Sequence, residues 1–174
     1  LVAAEDTTIK RAAGFTGSMF TVNGGNLQMA GGSVTDSNGT AIGSGSLTVD
    51  GSGDGVTGSI VEVVSGNYGL TDDAVLTGNK TTGNAGAISN TADGNVYLLG
   101  GTITGNSATT GGAIYSEGAV SIRGTVSVTG NTVINSTPET ASNVVLDKNG
   151  IINVNGAVTG STIGLAVQEA AAGR

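Results

Sequence analysis

The tripeptide Thr-Gly-Asn occurs at 77–79, 104–106 and 129–131, at spacings of 27 and 25 residues. The first two copies are followed by matching blocks in the same order. Gly86-Ala87-Ile88-Ser89 is answered by Gly112-Ala113-Ile114-Tyr115-Ser116, and Val96-Tyr97-Leu98-Leu99-Gly100-Gly101 by Val120-Ser121-Ile122-Arg123-Gly124. A degenerate earlier copy reads Thr35, Ala41-Ile42, then Leu47-Thr48-Val49-Asp50-Gly51. A fixed period of this length confines the chain to stacked coils or propeller blades. Propeller blades need about 40 residues and hairpin-joined strands, so the short period favours coils.

Within one period three short pieces alternate in polarity: Ala113-Ile114-Tyr115, Ala119-Val120-Ser121-Ile122 and Val126-Ser127-Val128-Thr129. Alternation sends Val120 and Ile122 to one face, and Val126 and Val128 likewise. Each piece ends at Gly or Asn, the residues that tolerate a left-handed backbone at a sharp bend. Three strands per turn with sharp corners make a triangular coil, and 174 residues allow roughly six to eight coils of such a period. The Asn that follows each corner Gly has two compatible roles, as a turn residue or as a rung in a hydrogen-bonded ladder.

Composition agrees. Five aromatics (Phe15, Phe20, Tyr68, Tyr97, Tyr115) are too few for an ordinary core, so the interior must be stacked Val, Ile, Leu and Ala. The 32 glycines and one proline fit many tight turns between many short strands. The net charge is −7, and the six Lys and Arg are scattered. That pattern offers no basic stripe for nucleic acid or an anionic membrane. Cysteine is absent, which removes disulfides and thiolate metal sites. No apolar run approaches the ~20 residues of a membrane span.

Gly111-Gly112-Ala113-Ile114 and Phe20-Thr21-Val22-Asn23 are similar to the GGAI and FxxN tetrapeptides of chlamydial polymorphic outer-membrane adhesins. The stretch from Ser142 to Gly160 more closely resembles the final coils of large Gram-positive surface proteins. The repeated Gly-Gly-Thr-Ile-Ser-Gly-Asn unit of those proteins is echoed by Gly100-Gly101-Thr102-Ile103-Thr104-Gly105-Asn106. The resemblance spans about Thr8 to Leu165, and its motifs encode coil geometry rather than chemistry. It implies an all-β, right-handed, single-stranded parallel β-helix of the pectate-lyase-like type on a bacterial cell surface. It also implies an excised segment, with the anchoring signal and neighbouring domains lying elsewhere in a larger protein.

Few residues are candidates for chemistry. Right-handed β-helices include polysaccharide-cleaving enzymes, and Asp72-Asp73 superficially matches their paired carboxylates. However, the chain has no His, the nearest cation in sequence is Lys80, and strand neighbours point to opposite faces. A polar turn before Ala74-Val75-Leu76 accounts for the pair better. Asp50, Ser52 and Asp54, with Gly55, match the first half of a calcium-binding loop. The position that should hold a bidentate Glu holds Val61, so this is an opportunistic calcium site or simply a Gly-rich corner. Tyr97 and Tyr115 lie in successive repeats and are candidate sugar-stacking residues, although in different blocks. Ser33-Val34-Thr35, Thr102-Ile103-Thr104 and Ser127-Val128-Thr129 occupy matching places, so a Ser/Thr ladder of the ice-binding kind is open beside an ordinary solvated strand face. The N-x-S/T patterns at Asn38, Asn79 and Asn135 are expected by chance in such a sequence.

The sequence therefore predicts a β-helix over residues 1–166 and a cap or linker over 167–174, with 135–140 as a protruding loop. The expected function is a non-catalytic, cofactor-free stalk or adhesive module, secreted to the cell surface and meeting host or cell-wall glycans or proteins. No nucleic-acid partner and no membrane insertion are expected. The alternatives are a polysaccharide-active enzyme and an ice-binding solenoid.

Overall fold

The structure, a computed structural model, describes residues 1–53, 55–134 and 140–167. These residues form an all-β, solenoid-like stack of mostly parallel strands, with no helix among them. The chain passes over three faces in turn, and equivalent strands of successive passes pair in parallel.

The first face is a six-stranded sheet of Thr7–Lys10, Leu47–Asp50, Ala74–Thr77, Thr102–Thr104, Ser127–Thr129 and Thr162–Ile163. The second and third faces belong to one curled sheet, because Phe20–Met29 and Val61–Leu70 each run around the corner between them. The second face continues through Ile88–Asn90, Ile114–Ser116, Val144–Leu146 and Leu165–Val167. The third continues through Gly94–Leu98, Ala119–Gly124 and Ile151–Val158.

The registers turn the repeat into columns of aliphatic side chains. Ile9, Val49, Leu76, Ile103, Val128 and Ile163 stack on the first face. Phe20, Val61, Ile88, Ile114 and Val144 stack on the second, and Met29, Leu70, Leu98 and Ile122 on the third. The middle members of every column are fully buried, each worth roughly 1.5–3 kcal/mol of transfer free energy.

The Thr-Gly-Asn corners show why that tripeptide recurs. Gly78, Gly105 and Gly130 have φ of +76°, +67° and +67°, a backbone that an L side chain resists. The following Asn79, Asn106 and Asn131 turn inward and are 0% exposed. Both compatible roles of these asparagines are realised, since they also form a ladder. The Asn79 amide N–H donates to Asn106 Oδ1, and the Asn106 N–H to Asn131 Oδ1, each at 3.0 Å. Asn131 Nδ2 then donates to Asn143 Oδ1 at 2.9 Å.

Arg11 closes the other end of the ladder. Its guanidinium, 4% exposed, donates to Asn79 Oδ1 at 3.1 Å, to the Gly51 carbonyl at 2.8 Å and to the Gly17 carbonyl. The Phe15 ring lies 5.8 Å from its central carbon. Burial lowers the Arg11 pKa from its ordinary value, yet a guanidinium stays charged, so these oxygens and the ring stand in for water.

The first third of the chain departs from expectation. Gly32–Thr35 and Ala41–Gly45 pair antiparallel as a hairpin, so Thr35 and Ala41-Ile42 are not a degenerate coil. The Asp36 carboxylate accepts the amides of Asn38 and Thr40 at 2.8 and 2.9 Å, which fixes the tip as a tight turn. The loop expected around Pro138 and the cap or linker beyond Val167 lie outside the described residues.

Candidate functional site

Two outward surfaces carry the side chains available for recognition. On the third face one outward column reads Gln28, Gly69, Tyr97, Ser121, Asn153. Gly69 and Ser121 are small, so Tyr97 stands between two depressions. One, of about 370 Å³, is lined by Asn26, Leu27, Gln28, Asn67 and Gly69 together with Tyr97 and Leu99. The other, of about 310 Å³, is lined by Ser121, Ile122, Arg123 and Asn155 with the same Tyr97 and Leu99. The two share Tyr97 and Leu99 as lining and together make a trough of two depressions along the stacking direction.

Some polar groups of the trough are tied to one another. Asn67 Nδ2 donates to Asn26 Oδ1 at 2.6 Å, and Asn155 Nδ2 to Ser121 Oγ at 3.3 Å. Tyr97 sits in this trough, whereas Tyr115 faces outward on the second face, in a column with Glu62, Ser89 and Val145. The structure therefore separates the two tyrosines by a corner. Gln28, Leu99 and Arg123 are not legible as ligand contacts in the sequence. The signal that finds them is a bulky side chain between two small ones in one outward column, and that column exists only once the register is known.

The first face presents two outward columns. Thr8, Thr48, Val75, Thr102, Ser127 and Thr162 form one, and Lys10, Asp50, Thr77, Thr104 and Thr129 the other. All but Val75, Lys10 and Asp50 are Thr or Ser. Ser33-Val34-Thr35 does not join them, because it belongs to the hairpin. Its place is taken by Leu47–Asp50.

At the corner below this face, the Asp50 carboxylate accepts the Ser52 amide at 2.9 Å and the Ser52 hydroxyl at 2.5 Å, and meets Lys10 at 3.3 Å. Burial, the largest single influence, pushes the Asp50 carboxyl up. The Ser52 groups and Lys10 together outweigh it and hold it below its ordinary value. Asp54, the third residue of the candidate calcium loop, lies outside the described residues. Among those residues, no group of three or more carboxylate, His or Cys side chains gathers around a common point.

Asp72 and Asp73 form the turn that precedes Ala74–Thr77, with Asp73 at φ +57°. They edge a depression of about 320 Å³ with Ser46, Thr102 and Ser127, and no Lys or Arg lines it. Of the N-x-S/T sites, Asn79 is sealed in the ladder, Asn38 is exposed at the hairpin tip, and Asn135 lies outside the described residues.

Comparison with models of known families, with characterised proteins and with solved structures returns no match.

Proposed function

We propose that this chain is a right-handed, single-stranded parallel β-helix serving as a non-catalytic stalk and adhesive segment of a bacterial cell-surface protein. One observation carries the reading: the aliphatic columns and the asparagine ladder run in register through successive passes of the chain. Each pass is clamped to the next by backbone bonds, packed side chains and buried amides, and such a stack resists bending. A stiff rod of low charge suits the task of holding a binding surface away from a cell wall. In this reading the trough beside Tyr97 is the adhesive surface, the chain carries no cofactor beyond an opportunistic calcium at Asp50, and residues 1–166 are one unit.

The test is retention of the purified chain on host and cell-wall polysaccharides and proteins, with newly formed sugar chain ends assayed in the same tubes. Retention without new chain ends is the expected result. New chain ends would overturn the non-catalytic reading and direct attention to Asp72 and Asp73.

The Thr and Ser columns of the first face favour a second reading, a surface that orders water as ice-binding solenoids do. Its measure is thermal hysteresis of a dilute solution. A freezing gap that Thr104→Leu abolishes would establish it in place of the adhesive reading; the absence of a gap would dismiss it.

A further inference from the structure

We propose that the trough on the third face binds a linear, carboxylate-bearing glycan, with sugar faces against Tyr97 and Leu99 and a carboxylate on Arg123. The proposal rests on the adhesive reading and supplies its ligand class.

The shape of the trough argues for a chain rather than a single small molecule. From the row of Gln28 to the row of Asn153 it crosses four strand spacings, roughly 19 Å at about 4.8 Å each. Its walls mix apolar surface with amides and a phenol, which matches a sugar's alternation of C–H faces and hydroxyl edges. A peptide is a poorer fit. The strands beneath the middle of the trough are paired on both sides, so no free edge remains there to accept an added strand.

Charge selects among glycans. The chain carries 13 acidic side chains against six basic ones, yet among the described residues neither depression is lined by an acid, and the one cation lining them is Arg123. Its side chain is exposed and has no ion pair or hydrogen bond among the described residues. The Tyr97 hydroxyl and the Gln28 side-chain amide are likewise without partners there. A guanidinium fork left open beside an aromatic ring fits a planar carboxylate. Ring and cation lie in adjacent rows, Tyr97 opposite Ser121 and Arg123 two residues further along that strand. One sugar unit can therefore touch both.

The experiment measures retention and calorimetric binding of the full chain on hyaluronan, polygalacturonate and polysialate, each paired with the same polymer after reduction of its carboxylates to alcohols. At least one acidic polymer should bind about tenfold more tightly than its reduced partner, consistent with one charge-assisted contact, and added salt should erase most of that difference. Arg123→Gln should lower binding of the acidic form to the reduced level, and Arg123→Lys should restore part of it. Tyr97→Ala should weaken both forms. Both side chains point outward, so melting curves should match the parent and rule out misfolding as the cause. Equal binding of acidic and reduced polymers, or an Arg123→Gln chain that binds as the parent does, would overturn the acidic-ligand proposal while leaving an adhesive module. Binding to none of the three acidic polymers would also overturn it. The adhesive reading would fall separately, if no polysaccharide or protein of the wider panel retained the chain.

Discussion

Asn106 shows how much one residue does in this architecture. Its Oδ1 accepts the Asn79 amide at 3.0 Å, and its Nδ2 donates to the Leu76 carbonyl at 3.1 Å and the Thr104 carbonyl at 3.0 Å. All of this happens at a site sealed from water, where an unmet polar group costs about 1–3 kcal/mol. Asn106→Ala strands the buried Asn79 N–H and removes the side-chain bonds to the Leu76 and Thr104 carbonyls, so a loss on the order of 3 kcal/mol is expected in urea unfolding. Asn90 makes the opposite case. Its Nδ2 donates to Ser116 Oγ at 2.8 Å, but its buried Oδ1 accepts nothing among the described residues. The residue beside it in the same column is Val63. Asn90→Val should therefore leave stability unchanged or raise it, because Ser116 keeps its own bond to the Gly118 carbonyl at 3.1 Å. A lower melting temperature would show that the Asn90–Ser116 bond outweighs the orphaned oxygen. Acid should act first through Asp50 and Asp6, both held below their ordinary value of 3.8, Asp6 by hydrogen bonds from the Ser46 amide and hydroxyl. Such a group binds its proton more tightly when unfolded. Its stabilisation is therefore full above pH 3.8 and lost as pH falls through the lower folded value. Melting temperature should be flat from pH 7 to about 5 and should drop below about 4, and Asp50→Asn should blunt that drop.

At the scale of elements, the corners and the hairpin obey different rules. Each Thr-Gly-Asn corner must turn sharply, point an amide inward and let the next strand start in register, and only Gly meets the backbone requirement without strain. The hairpin of Gly32–Thr35 and Ala41–Gly45 lies outside that scheme. Its base is tightly packed, since a Cβ on Gly43 would sit 2.2 Å from the Ala4 carbonyl oxygen. Its tip, by contrast, is open to solvent. Replacing residues 36–40 by a two-residue Asn-Gly turn should shift stability by less than about 0.5 kcal/mol, whereas Gly43→Ala should cost several times more. Comparable losses from both changes would mean that the tip supports the stack.

Across the whole molecule, stability should follow position in the stack, because each row is held only by its neighbours. Leu76, Ile103 and Val128 have rows on both sides and are fully buried. The last described rows leave Ile151, Val154, Leu165 and Val167 more than half exposed. Native-state hydrogen exchange should accordingly show the greatest protection at the strands of Leu76 and Ile103, declining toward 151–167. Uniform protection along the chain would indicate a single cooperative unit and contradict nearest-neighbour stacking.

The sequence by itself determined the period, the three short strands in each period and the inward residues of the later repeats. Those follow from alternation and from Gly at fixed corners, which are local properties. Tyr97 was likewise visible, as one of two tyrosines in successive repeats. Tertiary structure alone decided the rest. The hairpin escaped because Thr35 and Ala41-Ile42 mimic a coil in composition, and only the direction of pairing separates antiparallel from parallel strands. Arg11 as the end of the asparagine ladder was invisible, since its partners Gly51 and Asn79 are 40 and 68 residues away. The trough was invisible for the same reason. Gln28, Gly69, Tyr97 and Ser121 are distant in sequence, and they share one column only because backbone hydrogen bonding fixes which residue of each pass lies beside which residue of the next.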